Sequence, residues 1–289
     1  MKRKKKNKEK RTFKEFISDV ILVLQRPELT VLPGQLAFSF VLSIVPIITL
    51  LSYFASSLHM STSFVYNFLT KSLNPNIASL VCNTLSNSEL GLRFYISLII
   101  GYYLASNGAA SMIVTSNAIY GIKDSGFFKR RIKAFIMTVF LTILFIFMLI
   151  VPMFGQKIVE LIKYVNLNPV ITANIISVFR WLKGPFTWII VFIFIKLIFT
   201  MAPDKKVPSK NVNIGALFTT VCFILITEIY SLYINHLAAY DLFFGGLANI
   251  IILMVWFYIL SYIFTIGLAL NYREEEIEME KTGEINILK

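Results

Sequence analysis

One carboxylate stands inside a long apolar run. It is Glu228, in the stretch from about 212 to 236. Ser231 and Asn235 follow at i+3 and i+7, so a helix would carry all three on one side. A carboxylate among apolar side chains can exchange a proton, its pKa raised by desolvation, or hold the polar part of a substrate. An ionisable group at such a depth is expensive. It is therefore predicted to face the bundle interior or a water-filled cavity. Gln35, Ser39, Ser43 and Pro46 step by four, four and three residues and form a second polar stripe. Tyr103, Asn107, Ser111 and Thr115 form a third. Gln35, Ser39, Ser43, Asn107, Ser111, Glu228, Ser231 and Asn235 are thus the candidates for lining a polar path. A competing role is structural. Ser can bond back to its own helix, and Gln or Asn can join two helices. Asn107 is expected to find its partner on the Gln35 stripe.

The elements that position these residues are six apolar runs, at about 31–58, 94–119, 133–155, 174–202, 212–236 and 245–271. Each is near or above the roughly 20 residues that cross a bilayer as a helix. Only 15% of the chain is charged, too little for a water-facing surface around six such runs. The expected fold is all-α, a polytopic membrane bundle of six transmembrane helices. An amphipathic interfacial helix precedes it, with Phe13, Phe16, Ile17, Val20, Ile21 and Leu24 on one face. Lys14, Glu15, Ser18 and Asp19 fill the opposite, polar face. The chain divides into a basic tail and amphipathic helix (1–30), a membrane domain (31–271) and an acidic tail (272–289). Short amphipathic pieces are expected in the outer segments 59–92 and 156–165, and a kink at Gly184-Pro185.

Charge sets the orientation. Of 28 Lys and Arg residues, 21 fall in the first 27 residues, the connections after runs two and four, and the tail. By the positive-inside rule these segments and both termini are cytoplasmic, in a multi-pass protein of the bacterial cytoplasmic membrane. The basic tail suits anionic lipid better than a specific nucleic acid. Lys196 lies close enough to the cytoplasmic end of its run to snorkel. The acidic stretch after Arg273 is placed to pair with the basic amino-terminal segment. Cys82 and Cys222 make no disulfide framework.

Several segments resemble the YihY/BrkB family of bacterial inner-membrane proteins, formerly labelled ribonuclease BN. They are Gln35-Leu36-Ala37-Phe38 with Leu42-Ser43 and Pro46, then Asn117-Ala118-Ile119-Tyr120-Gly121. Ala202 to Pro208, Gly215 and Glu228 follow, and then Tyr240, Gly245, Trp256, Tyr258, Gly267 and Asn271. The chain departs from the family pattern near its end. Where the family has Gly-Ala-Glu-x-Asn, this sequence has Gly267-Leu268-Ala269-Leu270-Asn271, so Ala269 takes the carboxylate position.

The resemblance implies export, lipid movement or cation/proton exchange, with membrane lipids as partners and a lipid or an ion as substrate. A non-transporting membrane scaffold is the other alternative. No cofactor or metal site is expected, and the homo-oligomeric state is left open. The old nuclease label is not supported by the residues. RNA hydrolysis needs acid/base groups or metal-binding carboxylates held close together. Here His59 and His236 are expected near the outer surface, and Asp124 and Asp204 isolated in cytoplasmic loops.

Overall fold

A computed structural model describes residues 13–57, 92–123, 125–143, 169–237 and 246–282. The described residues form seven α-helices: α1 (Phe13–Leu24), α2 (Glu28–Ser57), α3 (Leu92–Ile119), α4 (127–143), α5 (Pro169–Met201), α6 (Asn213–Leu237) and α7 (Gly246–Thr282). A helix lies on each of the six apolar runs. Stretches of α5 (Gly184–Met201), α6 (Asn213–Tyr230) and α7 (Ile251–Ile277) are long and apolar enough to cross a membrane, and Glu28–Ser43 of α2 is a shorter apolar helix. Helix α5 continues through Pro185 without a break. The proposed outer pieces at 59–92 and 156–165, and His59 with them, lie outside the described residues apart from Leu92 at the start of α3.

The main packing runs α3–α2–α7–α6–α5, and α7 also touches α3 and α1. Helix α7 is the hub because it is buried on several sides. Phe264, Ile266, Leu268, Ala269 and Leu270 are all in the core. Among the described residues, the core includes Leu29, Leu32 and Leu36 on α2, Ile113 and Ile119 on α3, and Phe199 on α5, near the end where the basic connections lie.

Two small residues let α6 and α7 meet. A Cβ on Gly215 would collide with the Gly267 carbonyl, and one on Gly267 would collide with the Thr219 hydroxyl. The Gly215 amide donates to Asn271 Oδ1 at 2.8 Å, a hydrogen bond between the two helices at the same crossing. Gly108 does similar service between α3 and α2, where Phe40 and Ser43 lie against it. Close backbone approach through small residues is the usual way helices pack in lipid, where apolar burial gives no net drive.

Helix α1 is docked rather than lying free. Val23 is fully buried, and the Phe16 ring meets Phe218 of α6 at 6.4 Å. Asp19, assigned above to the polar face, is instead buried against the bundle and accepts from Arg273 Nε at 3.4 Å. Ile17, Ile21, Leu22 and Leu24 stay exposed, an apolar flank suited to an interfacial helix.

Candidate functional site

The polar stripe of α2 divides between packing and exposure. Gln35 is exposed. Ser39 donates to the Gln35 carbonyl of its own helix at 3.0 Å. Buried Ser43 lies 2.7 Å from the Ser39 carbonyl and 3.3 Å from the Leu104 carbonyl, and it accepts from the Gly108 amide at 3.0 Å. Ser43 is therefore a bond between α2 and α3, the structural role weighed for it above.

Among the described residues, Asn107 bonds to α4 and not to the Gln35 stripe. Its Oδ1 accepts from Arg131 Nη1 of α4 at 3.0 Å, and the same nitrogen reaches Ser106 Oγ at 2.9 Å. The Arg131 guanidinium lies 3.9 Å from the Tyr103 ring centroid, with Phe127 and Phe135 about 6 Å away. Tyr102 braces the contact by donating to the Phe135 carbonyl at 2.6 Å. Arg131 sits in sequence among the loop charges. Its signal was the aromatic pair at i−4 and i+4, with two tyrosines on the neighbouring run.

Ser111 is buried without a hydrogen-bond partner among the described residues, as are the hydroxyls of Thr115 and Ser116 on α3, Thr219 on α6 and Ser261 on α7. These hydroxyls are spread over three helices of the bundle. A groove of about 330 Å³ lies between α4 and α5, against Lys129, Ile132, Lys133, Ile136, Met137 and Met201. None of the six candidates whose side chains are described borders it.

Glu228 corrects the expectation made for it. It is exposed on α6, between the equally exposed Leu225, Ile229 and Leu232, and does not face the bundle interior. Ser231 and Asn235 lie on the same helix, but their side chains fall outside what is described. Ala269 is wholly buried on α7, so a carboxylate there would stand in the core, and outward-facing Glu228 is no spatial replacement for it. Lys196 is half-buried, its Nζ 6.0 Å from the Phe192 ring centroid.

The best-organised polar cluster was not anticipated. It centres on Asp204, in the connection from α5 to α6. Lys133 Nζ donates to Asp204 Oδ1 at 2.7 Å and to the Ala202 and Pro203 carbonyls at 2.8 and 2.7 Å. Asn117 donates to Asp204 Oδ2 at 2.7 Å and accepts from the Asp204 amide at 2.9 Å, with the Ser125 amide at 3.4 Å. Burial alone would raise the Asp204 carboxyl. The hydrogen bonds from Lys133, Ser125 and Asn117 and the charge of Lys133 outweigh it and hold the group down at about 2. Asp204 is thus not isolated: it ties α3, α4 and the connecting loop together.

A second charged layer lies beside it. Lys205 pairs with Glu275 at 2.9 Å and sits 4.8 Å from the Tyr120 ring centroid. Arg26 lies 3.6 Å from Glu276 and 4.9 Å from the Tyr272 ring centroid. The acidic stretch of α7 does meet the amino-terminal segment, but Arg273 also pairs back with Asp19. Burial, with Glu275 nearby, pushes the Tyr120 phenol above its usual range. Among the described residues, no three His, Cys, Asp or Glu side chains come together as a metal site would need.

Described residues whose regular structure is all helical, with bilayer-length apolar helices capped at one end by ion pairs, define a helical membrane protein. The chain belongs to the virulence factor BrkB family, whose pattern matches residues 20–286. It is 27% identical over 244 residues to the putative ribonuclease-like protein YfkH of Bacillus subtilis (strain 168), covering 82% of this chain and 87% of that one. A UPF0761 membrane protein of Aliivibrio fischeri (strain ATCC 700601 / ES114) is 28% identical over 272 residues, 90% of this chain and 83% of its own. Another, from Glaesserella parasuis serovar 5 (strain SH0165), is 24% identical over 241 residues, 82% of this chain and 80% of its own. No solved structure matches.

Proposed function

We infer that this protein is a six-span transporter of the bacterial cytoplasmic membrane, with both termini cytoplasmic, and that it moves the headgroup of a lipid along its bilayer-facing surface. The observation that carries this reading is the outward placement of polar groups. Gln35 and Glu228 are exposed on two helices that each pack on α7, and Asn107 is half-buried beside Arg131. Polar side chains on the lipid side of a bundle suit a substrate whose tails remain in the bilayer. Ser43 speaks against a wide aqueous conduit between α2 and α3, because it joins those helices directly.

Cation/proton exchange at Glu228 has less support, since a carboxylate exposed at the protein surface is not enclosed in a cavity. A purely scaffolding role would use the docked α1 and its apolar flank. The protein is read as a non-enzyme. Asp204, one of the two loop aspartates a nuclease would draw on, is committed to Lys133 and Asn117.

Reconstitution into vesicles with a fluorescent phospholipid tests the reading. Wild-type protein is expected to speed the exchange of label between leaflets, and Glu228→Gln to abolish it with expression and folding intact. Undiminished flux in that variant removes Glu228 from the mechanism. No flux with any phospholipid, alongside loss of envelope function on deleting residues 1–26, favours the scaffold.

A further inference from the structure

Among the described residues, Arg26, Lys133, Lys205 and Arg273 each meet a carboxylate, whereas no carboxylate reaches Arg131. Its guanidinium is nevertheless held in a fixed orientation. Nη1 is fastened to Ser106 Oγ and Asn107 Oδ1, and Ser106 Oγ is itself anchored by donating to the Tyr103 carbonyl at 2.7 Å. The Tyr103 ring supports the planar group from one side. The other guanidinium nitrogens, Nε and Nη2, make no hydrogen bond to the described residues, so their donors remain for a ligand.

The flank around this box is apolar and open. Ile99, Ile100 and Leu104 on α3 and Phe128 on α4 are all exposed, Phe128 by 79%. Asn107 lies about 18 Å along α3 from its Ile119 end, at 1.5 Å per residue. Arg131 itself stands four residues, about 6 Å, from the start of α4 at residue 127, and its head reaches from there along the lipid-facing side of α3 to Ser106 and Asn107. Cation–π contact offsets only part of the cost of an unneutralised charge there. The anion available to such a surface is a lipid phosphate, and a planar guanidinium fork is the side chain best matched to it.

We propose that Arg131, positioned by Ser106, Asn107 and Tyr103, binds the phosphate of an anionic phospholipid in the leaflet at the basic end of the bundle, whose tails lie along Ile99, Ile100 and Leu104. The site stands apart from the transport reading, because a lipid is held here whether or not it is moved.

Arginine-specific modification by phenylglyoxal, quantified at Arg131 by peptide mass spectrometry on the intact wild-type protein in detergent, tests the site without any variant. Phosphatidylglycerol is expected to slow modification of Arg131 at least fivefold. Phosphatidylcholine and inorganic phosphate at equal phosphorus concentration leave the rate unchanged. Equal protection by phosphatidylcholine overturns the proposal, as does no protection by any lipid. Equal protection by inorganic phosphate reassigns the site to a free anion and overturns the lipid source. Native mass spectrometry of Arg131→Gln, shown to be folded by its size-exclusion profile, supplies the second arm. At least one fewer bound phosphatidylglycerol than wild type is expected, and an unchanged lipid count refutes the site.

Discussion

Lys133 and Arg131 come from the same helix, two residues apart, and meet opposite circumstances. Positions i and i+2 lie on nearly opposite sides of a helix, so α4 sends one cation toward the α5–α6 connection and the other toward α3. Lys133 is saturated by two carbonyls and the Asp204 carboxylate. Arg131 has two neutral oxygens and aromatic rings around it, and no carboxylate among the described residues. The first arrangement closes a structure, and the second leaves a charge to be met from outside. Locking and recognition are thus separated by the width of one helix.

The comparison can be broken most severely on the closed side. Gly215→Val puts side-chain atoms where the Gly267 carbonyl lies, and Gly267→Val puts them where the Thr219 hydroxyl and Phe199 ring lie, so the α6–α7 crossing has to open. A loss of about 3 kcal/mol or outright failure to fold is expected, read as loss of the monodisperse peak in detergent. Asp204→Ala comes next, because it leaves the Lys133 ammonium without its carboxylate. A destabilisation of about 2–3 kcal/mol is expected, seen as a lowered Tm in detergent. Unchanged Tm would show that the two carbonyls suffice.

Acid sharpens the same contrast. The Asp204 carboxyl is held at about 2, below its unfolded value near 4, so its stabilising contribution is complete above about pH 4 and lost as the pH falls through about 2. Thermal unfolding across that window should show a fall in wild type that is blunted in Asp204→Asn. Arg131→Gln should cost less, about 1 kcal/mol, because only two neutral hydrogen bonds and a cation–π contact are removed. A Tm drop as large as that of Asp204→Ala would make Arg131 a structural lock as well. The smallest effect is expected at Lys205→Ala, within about 1 kcal/mol, since Lys205 and Glu275 form a partly solvated pair at the basic end.

Much of the fold was legible because its signal is local. A helix lies on each apolar run, over residues 133–143 alone for the third, and the periodic Phe16, Val20 and Leu24 marked α1. The four-residue steps of Ser39 and Ser43 correctly placed them on one side of α2, where each reaches a helix carbonyl. The failures are equally specific. Asp204 looked solitary because its partner Asn117 is 87 residues away. Arg131 was counted as a loop charge because only the start of α4 at residue 127 brings it into a helix. Glu228 was turned inward by an argument from cost alone, although the apolar residues around it gave no preferred side.

Composition and run length by themselves determined that this chain is helical, lipid-compatible and charged chiefly at one end. Those properties follow from summed transfer energies, which need no knowledge of neighbours. Which side of each helix faces its neighbours was decided only in the folded bundle. In hydrocarbon both faces of a span can be apolar, so hydrophobicity does not point inward as it does in water. Direction comes instead from close contacts such as Gly215 on Gly267, and from hydrogen bonds such as Asn117 to Asp204, made between residues far apart in the chain.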